Sequence, residues 1–111
     1  GRMDSTTLKT LVDELLLTAR SHASGRAAQT IHGGREHALR QTVVALAAGR
    51  ELAEHDSPGE ATLQVLRGRV RLVAVSASID LADGDHVVLP QERHSLEAPI
   101  DAAVLLTVSL R

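Results

Sequence analysis

From Arg26 onwards the chain is cut into short runs of alternating apolar and polar residues, and most of the breaks hold Gly, Pro or Asp. A period of two marks a half-buried strand, and many such runs at regular spacing indicate an antiparallel sandwich or barrel. The run Ala27 to Ile31 ends at Gly33-Gly34, a hairpin signal. Glu36 to Ala47 predicts a long strand with Leu39, Val43 and Ala45 on one face and Ala38, Thr42, Val44 and Leu46 on the other. Apolar residues on both faces call for cover on both sides. Shorter strands are expected at Ala61 to Leu66, Arg69 to Val75, Ile79 to Leu81, His86 to Leu89 and His94 to Ala98, and a long closing strand at Ala102 to Leu110. The fold class is mainly β, antiparallel.

A different period precedes them. Leu8, Leu11, Val12, Leu15, Leu16 and Ala19 recur at spacings of three and four, which places them on one face of a helix from about Ser5 to Arg20. Asp4, Ser5, Thr6 and Thr7 supply N-cap candidates, and Gly25 follows where a terminator belongs. Gly1-Arg2 ahead of Met3 reads as a tag remnant outside the fold. Residues 1–25 are thus expected to form a helical segment packed on a barrel of residues 26–111. A homodimer is expected too, through an edge strand or the Leu8–Leu15 helix face, because two-sided apolar strands leave edges to cover.

Composition narrows the function. Phe, Tyr, Trp and Cys are all absent, so the core must be aliphatic and no ring can stack on a base or sugar. No disulfide or thiolate metal site can form. The net charge of −2 is mixed along the chain, with no basic patch for a phosphate backbone. No apolar run approaches the roughly 20 residues of a membrane span, and no signal-peptide pattern opens the chain. The expectation is a cytoplasmic protein with a small-molecule ligand and neither nucleic-acid nor membrane partners.

The organising stretch is Gly49 to Gly68, GRELAEHDSPGEATLQVLRG: a glycine turn, a short strand carrying His55, a Ser57-Pro58-Gly59 turn, and an alternating strand closed by Gly68. Its spacing resembles the first conserved motif of the cupin superfamily, a glycine, five residues, His-x-His, three or four residues, a glutamate, six residues and a glycine. Gly49, His55 and Gly68 fit, whereas Ser57 stands at the second histidine and Ala61 at the glutamate. Gly84 to Pro99, GDHVVLPQERHSLEAP, resembles the second motif, in which five residues separate glycine from Pro-x-Gly and a histidine follows. Gly84 and Pro90 fit; Glu92 replaces the glycine, His94 comes one residue early with Ser95 at the strict position, and Pro99 replaces the asparagine. The resemblance covers Ala38 to Leu110. It implies a jelly-roll barrel whose inner wall bears the functional residues, with a degenerate metal-binding motif.

Cupin chemistry in general uses a metal held by three histidines and a glutamate, with a position left open for substrate. The resemblance leaves His55 and His94 as weak metal candidates, and His55, His94 and His86 as ligand-binding candidates. Their strands would share one inner wall, with both imidazoles pointing into one cavity. Glu60 adjoins the glutamate position, but a one-residue shift turns it to the opposite face. His37 or His86 could complete a metal set from near a barrel opening. Plainer readings stand beside these: a solvated strand-end residue for His55, an apolar-wall replacement for His86, exposed turn residues for His32 and His37, a helix-dipole partner for His22, and a solvated loop pair for Glu92-Arg93. No catalytic triad or phosphate-binding glycine loop is legible. The expectation is a cupin-like protein binding a small apolar or anionic ligand in its cavity, with no cofactor or a weakly held divalent transition metal. Its alternatives are an isomerase- or dioxygenase-like metalloenzyme using His55 and His94, and a dimeric scaffold with its barrel plugged by Leu and Val.

Overall fold

The two-sided strand is the wall between two cores. The computed structural model describes residues 3–55 and 59–110, and of Glu54 and His55 the backbone alone. Strand β2 spans Leu39–Leu46, between β1 (Arg26–His32) and β9 (Ala102–Ser109). Val43 and Ala45 face helix α1 (Leu8–Ser21), in a cluster with Leu11, Val12, Leu15, Leu16, Ala19 and Ala103. Val44 and Leu46 face the other way, into the space between two sheets. Alternation places successive side chains on opposite faces, so one strand serves both clusters.

The helix buries the expected stripe, but it begins at Leu8 rather than Ser5. Thr7 is the N-cap, in extended conformation and without a side-chain cap bond. Gly25 follows the far end with φ +67°. Leu11 and Leu15 are 6% and 8% exposed. The helix face therefore meets the chain's own β2 and is not available to a partner, which corrects that half of the dimer expectation. The apolar outer side of β2 is its nearest cover. Strand β2 also starts three residues later than the alternation indicates: Gly34 takes φ +99° and the His37 N–H bonds to the Gly34 carbonyl, so the segment turns before it extends.

The remaining strands are β3 (Glu51–His55), β4 (Ala61–Arg67), β5 (Arg69–Ala74), β6 (Ser78–Ala82), β7 (His86–Val88) and β8 (His94–Glu97). They form a five-stranded sheet, β1-β2-β9-β4-β7, and a four-stranded sheet, β3-β8-β5-β6, with every pairing antiparallel. From β2 to β5, and again from β6 to β9, successive strands alternate between the sheets in jelly-roll fashion, while β1–β2 and β5–β6 are hairpins within one sheet. Between the sheets lie Leu63, Val65, Val70, Leu72, Leu81, Leu96 and Val104, all buried. Among the described residues no helix is long and apolar enough to cross a membrane.

Gly68 alone carries the chain from β4 in one sheet to β5 in the other. Its φ is +84°, and a Cβ there would lie 2.2 Å from the Asp101 carbonyl oxygen. Only a residue without a side chain fits a corner this tight.

Candidate functional site

The site is the interior of the barrel near its β3–β8 side. Leu52 of β3, Leu96 of β8 and Leu72 of β5 form one cross-strand row. Val44, Leu63, Val104 and Leu106 face them from the other sheet, and Leu89 and His94 complete the described lining. The space they leave is about 20 Å³, near the ~10–15 Å³ that a single water needs. Branched aliphatic chains fill the room that aromatic rings would otherwise take.

His94 is 3% exposed and is the one buried polar side chain among the described residues. It lies two positions from Leu96, and therefore on the same inward face. Its Nδ1 is 2.9 Å from the Glu92 carbonyl oxygen. A carbonyl only accepts, so Nδ1 carries a hydrogen. Ser95, at the strict motif position, pairs with Val73 on the opposite face. The histidine that comes one residue early is thus the inward one.

Across the sheet, His94 pairs with Ala74 on β5 and with His55 on β3. The β3 pairing carries an irregularity between Leu52 and His55: three residues advance on β3 while two advance on β8. One extra residue is a β-bulge, and it shifts the register so that His55 comes opposite His94. The direction of the His55 ring lies outside the described residues, as does Ser57.

The other candidates lie elsewhere. Ala61, where the resemblance implies a glutamate, is 3% exposed and shares the inward face of β4 with Leu63 and Val65. Glu60 beside it is exposed, as the alternation requires. His86 does not join the interior: it is exposed, opposite the exposed Gln64, while its neighbour Val87 takes the inward position opposite Leu63. The reason is parity. His-Val-Val-Leu offers two apolar phases, and the one containing Val87 and Leu89 won. His37 is exposed on the β1–β2 turn and does not complete a metal set with His94. Among the described residues no group of three or more His, Asp or Glu side chains could hold a metal ion. The described residues therefore do not fit the three-histidine, one-carboxylate centre that the resemblance implies.

Glu92 corrects a second expectation. It is not a freely solvated loop residue: one carboxylate oxygen accepts the Ser76 N–H at 3.0 Å and the Ser76 Oγ–H at 2.8 Å. The Ser76 backbone N–H, followed by its hydroxyl, holds this carboxyl below the usual range, with the nearby His94 adding a smaller pull. The clasp joins the loop entering β8 to the loop between β5 and β6. It is a tertiary contact between two loops, for which the sequence carries no periodic signal.

A larger open groove of about 390 Å³ lies on the outer side of the four-stranded sheet, lined by Arg50, Glu51, Arg71, Asp80, Glu97 and Pro99 among others. Glu51 and Glu97 are directly opposite each other, and Arg71 pairs with Asp80 at 3.6 Å. This is a solvated charged surface, on the far side of the sheet from the inward-facing His94. The smaller interior space has the buried imidazole and is the better candidate.

No protein-family model matches the sequence, and no curated protein matches it. Solved structures do. A conserved protein of unknown function from Streptococcus pyogenes is 26% identical with a TM-score of 0.71, over 81% of this chain and 78% of that one. An RmlC-like cupin from Desulfovibrio desulfuricans is 26% identical with a TM-score of 0.67, over 77% and 82%. Salicylate 1,2-dioxygenase from Pseudoaminobacter salicylatoxidans is 26% identical with a TM-score of 0.75, over 92% of this chain but 31% of the enzyme.

Proposed function

This chain has the fold of small cupin domains, and from that premise we propose that its barrel binds a small molecule without a strong metal centre. The observation that carries this reading is His94, a buried imidazole anchored by the Glu92 carbonyl in an otherwise aliphatic wall. A lining of this kind favours a mostly apolar ligand with one polar group for the imidazole, a hydrogen-bond donor to the neutral ring or an anion to the imidazolium. The interior space of about 20 Å³ means that such a ligand enters only as wall side chains move aside. With alanine at the inward β4 position, a divalent transition metal would lack its carboxylate and be weakly held. The chain acts in this reading as a cytoplasmic homodimer, paired through an edge strand such as β7, whose Val88 is 65% exposed.

The test is a thermal-shift screen of small carboxylic acids, alcohols and apolar neutrals, repeated on His94→Gln. A compound that raises the melting temperature of the parent and not of the variant supports the cup. No response from any compound favours the third reading, a scaffold plugged by Leu and Val.

The likeness to salicylate 1,2-dioxygenase favours a second reading, a metal-dependent isomerase- or dioxygenase-like enzyme using His55 and His94. The chain spans about a third of that enzyme, and a shared fold hosts many chemistries. Metal content decides between the two.

A further inference from the structure

A second pair of histidines sits outside the barrel, where β1 turns into β2. His32 ends β1, and His37 lies in the turn five positions on. Their ring centres are 4.6 Å apart, with the planes tilted by 43°. Both residues are exposed. The Nδ1 of His37 is 2.7 Å from the Gly33 carbonyl oxygen. Since the carbonyl accepts, Nδ1 bears the hydrogen and the Nε2 lone pair is the donor atom available to an ion. A carbonyl on the far nitrogen is how metal-binding imidazoles are commonly oriented.

The spacing is also suitable. An imidazole nitrogen about 2.0–2.1 Å from an ion puts its ring centre roughly 3.2 Å away, so two rings at an angle of about 90° have centres roughly 4.5 Å apart. Right angles belong to tetragonal copper(II) and nickel(II), and copper(II) is the tightest binder of the divalent series at nitrogen sites. The hairpin is paired up to the site: Thr30 and Thr42 hydroxyls are bonded across it at 3.2 Å, and after a register irregularity between Thr30 and His32, His32 pairs with Gln41.

We propose that His32 and His37 together form a surface site for one tetragonal transition-metal ion, copper(II) above nickel(II), with water in the remaining positions. Among the described residues no third imidazole or carboxylate completes the set. Arg35 and Arg40 bring positive charge to the turn and Glu36 negative charge. The missing third ligand, and two arginines against one glutamate, place the affinity below that of a four-ligand centre. The site is independent of the barrel reading, because neither histidine lines the interior.

The experiment is a copper(II) titration of the untagged, chelator-treated full chain, followed by calorimetry and electron paramagnetic resonance. One equivalent should bind, with a signal typical of nitrogen ligation. His32→Gln and His37→Gln should each weaken binding at least tenfold, with unchanged far-ultraviolet circular dichroism. Substoichiometric copper should broaden the amide resonances of residues 32–37 before all others. Unchanged affinity in both variants would overturn the proposal, as would broadening centred on His94, His22 or His86.

Discussion

Arg20, in the last turn of α1, donates through Nε to Asp101 Oδ2 at 2.6 Å, in the loop before β9. The other oxygen, Oδ1, accepts the Ala48 N–H at 2.8 Å. One carboxylate thus joins the helix end, the loop after β2 and the start of the closing strand. The Ala48 N–H, and then Arg20, hold its pKa below the ordinary aspartate value.

Asp101→Asn is expected to lower stability by about 1 kcal/mol at neutral pH, the range for a charge-assisted bond discounted for partial exposure. The folded pKa is depressed. The contribution is therefore present above the unfolded value of about 3.9 and is lost as pH falls through the folded value. Urea denaturation at pH 7 and again near pH 3 checks this: the gap between parent and variant should narrow in acid.

Gly68→Ala is expected to cost about 3 kcal/mol, because positive φ and a clash with the Asp101 carbonyl act together. Gly49→Ala shares the positive φ but has open space around the new methyl, so about 1 kcal/mol is expected. Equal losses in denaturant titrations would show that backbone conformation, and not the tight sheet crossing, sets the penalty.

Ala61→Glu alone should destabilise by at least about 3 kcal/mol, since it places an unpaired carboxylate among Leu63 and Val65. Combined with Ser57→His, the loss should shrink on adding zinc or manganese. A melting temperature indifferent to metal in the double variant would refute the alignment of Ala61 with the motif glutamate.

Untagged protein purified without added metal should contain well under one equivalent of any transition metal. Elemental analysis measures it. Stoichiometric metal that persists in His32→Gln would put the metalloenzyme reading first.

Leu72→Ala should cost about 3 kcal/mol and enlarge the interior beside His94, as large-to-small core changes do. The enlarged space should admit benzene-sized apolar compounds, detected as a melting shift that the parent lacks.

The strands and the helix stripe were legible because each follows a simple period. Even the double-sided character of β2 could be read from Val43 and Ala45 set against Val44 and Leu46. The site was less so. Parity on β7 was ambiguous because Val87 and Val88 fit either face equally well, and His86 went outward with Val88. The bulge between Leu52 and His55 inserts one residue without any Gly or Pro to announce it. The Glu92–Ser76 clasp depends on two loops meeting in space, which neither loop encodes alone.

Because Val43 and Val44 look into different cores from adjacent positions on one strand, the helix and the barrel have no independent melting route. Opening the helix face exposes Val43 and Ala45 and leaves β2 supported on one side only, while opening the barrel removes Val44 and Leu46 from the same strand. Amide exchange should therefore find β2 and its neighbour β9 among the slowest segments, exchanging only when the whole molecule unfolds.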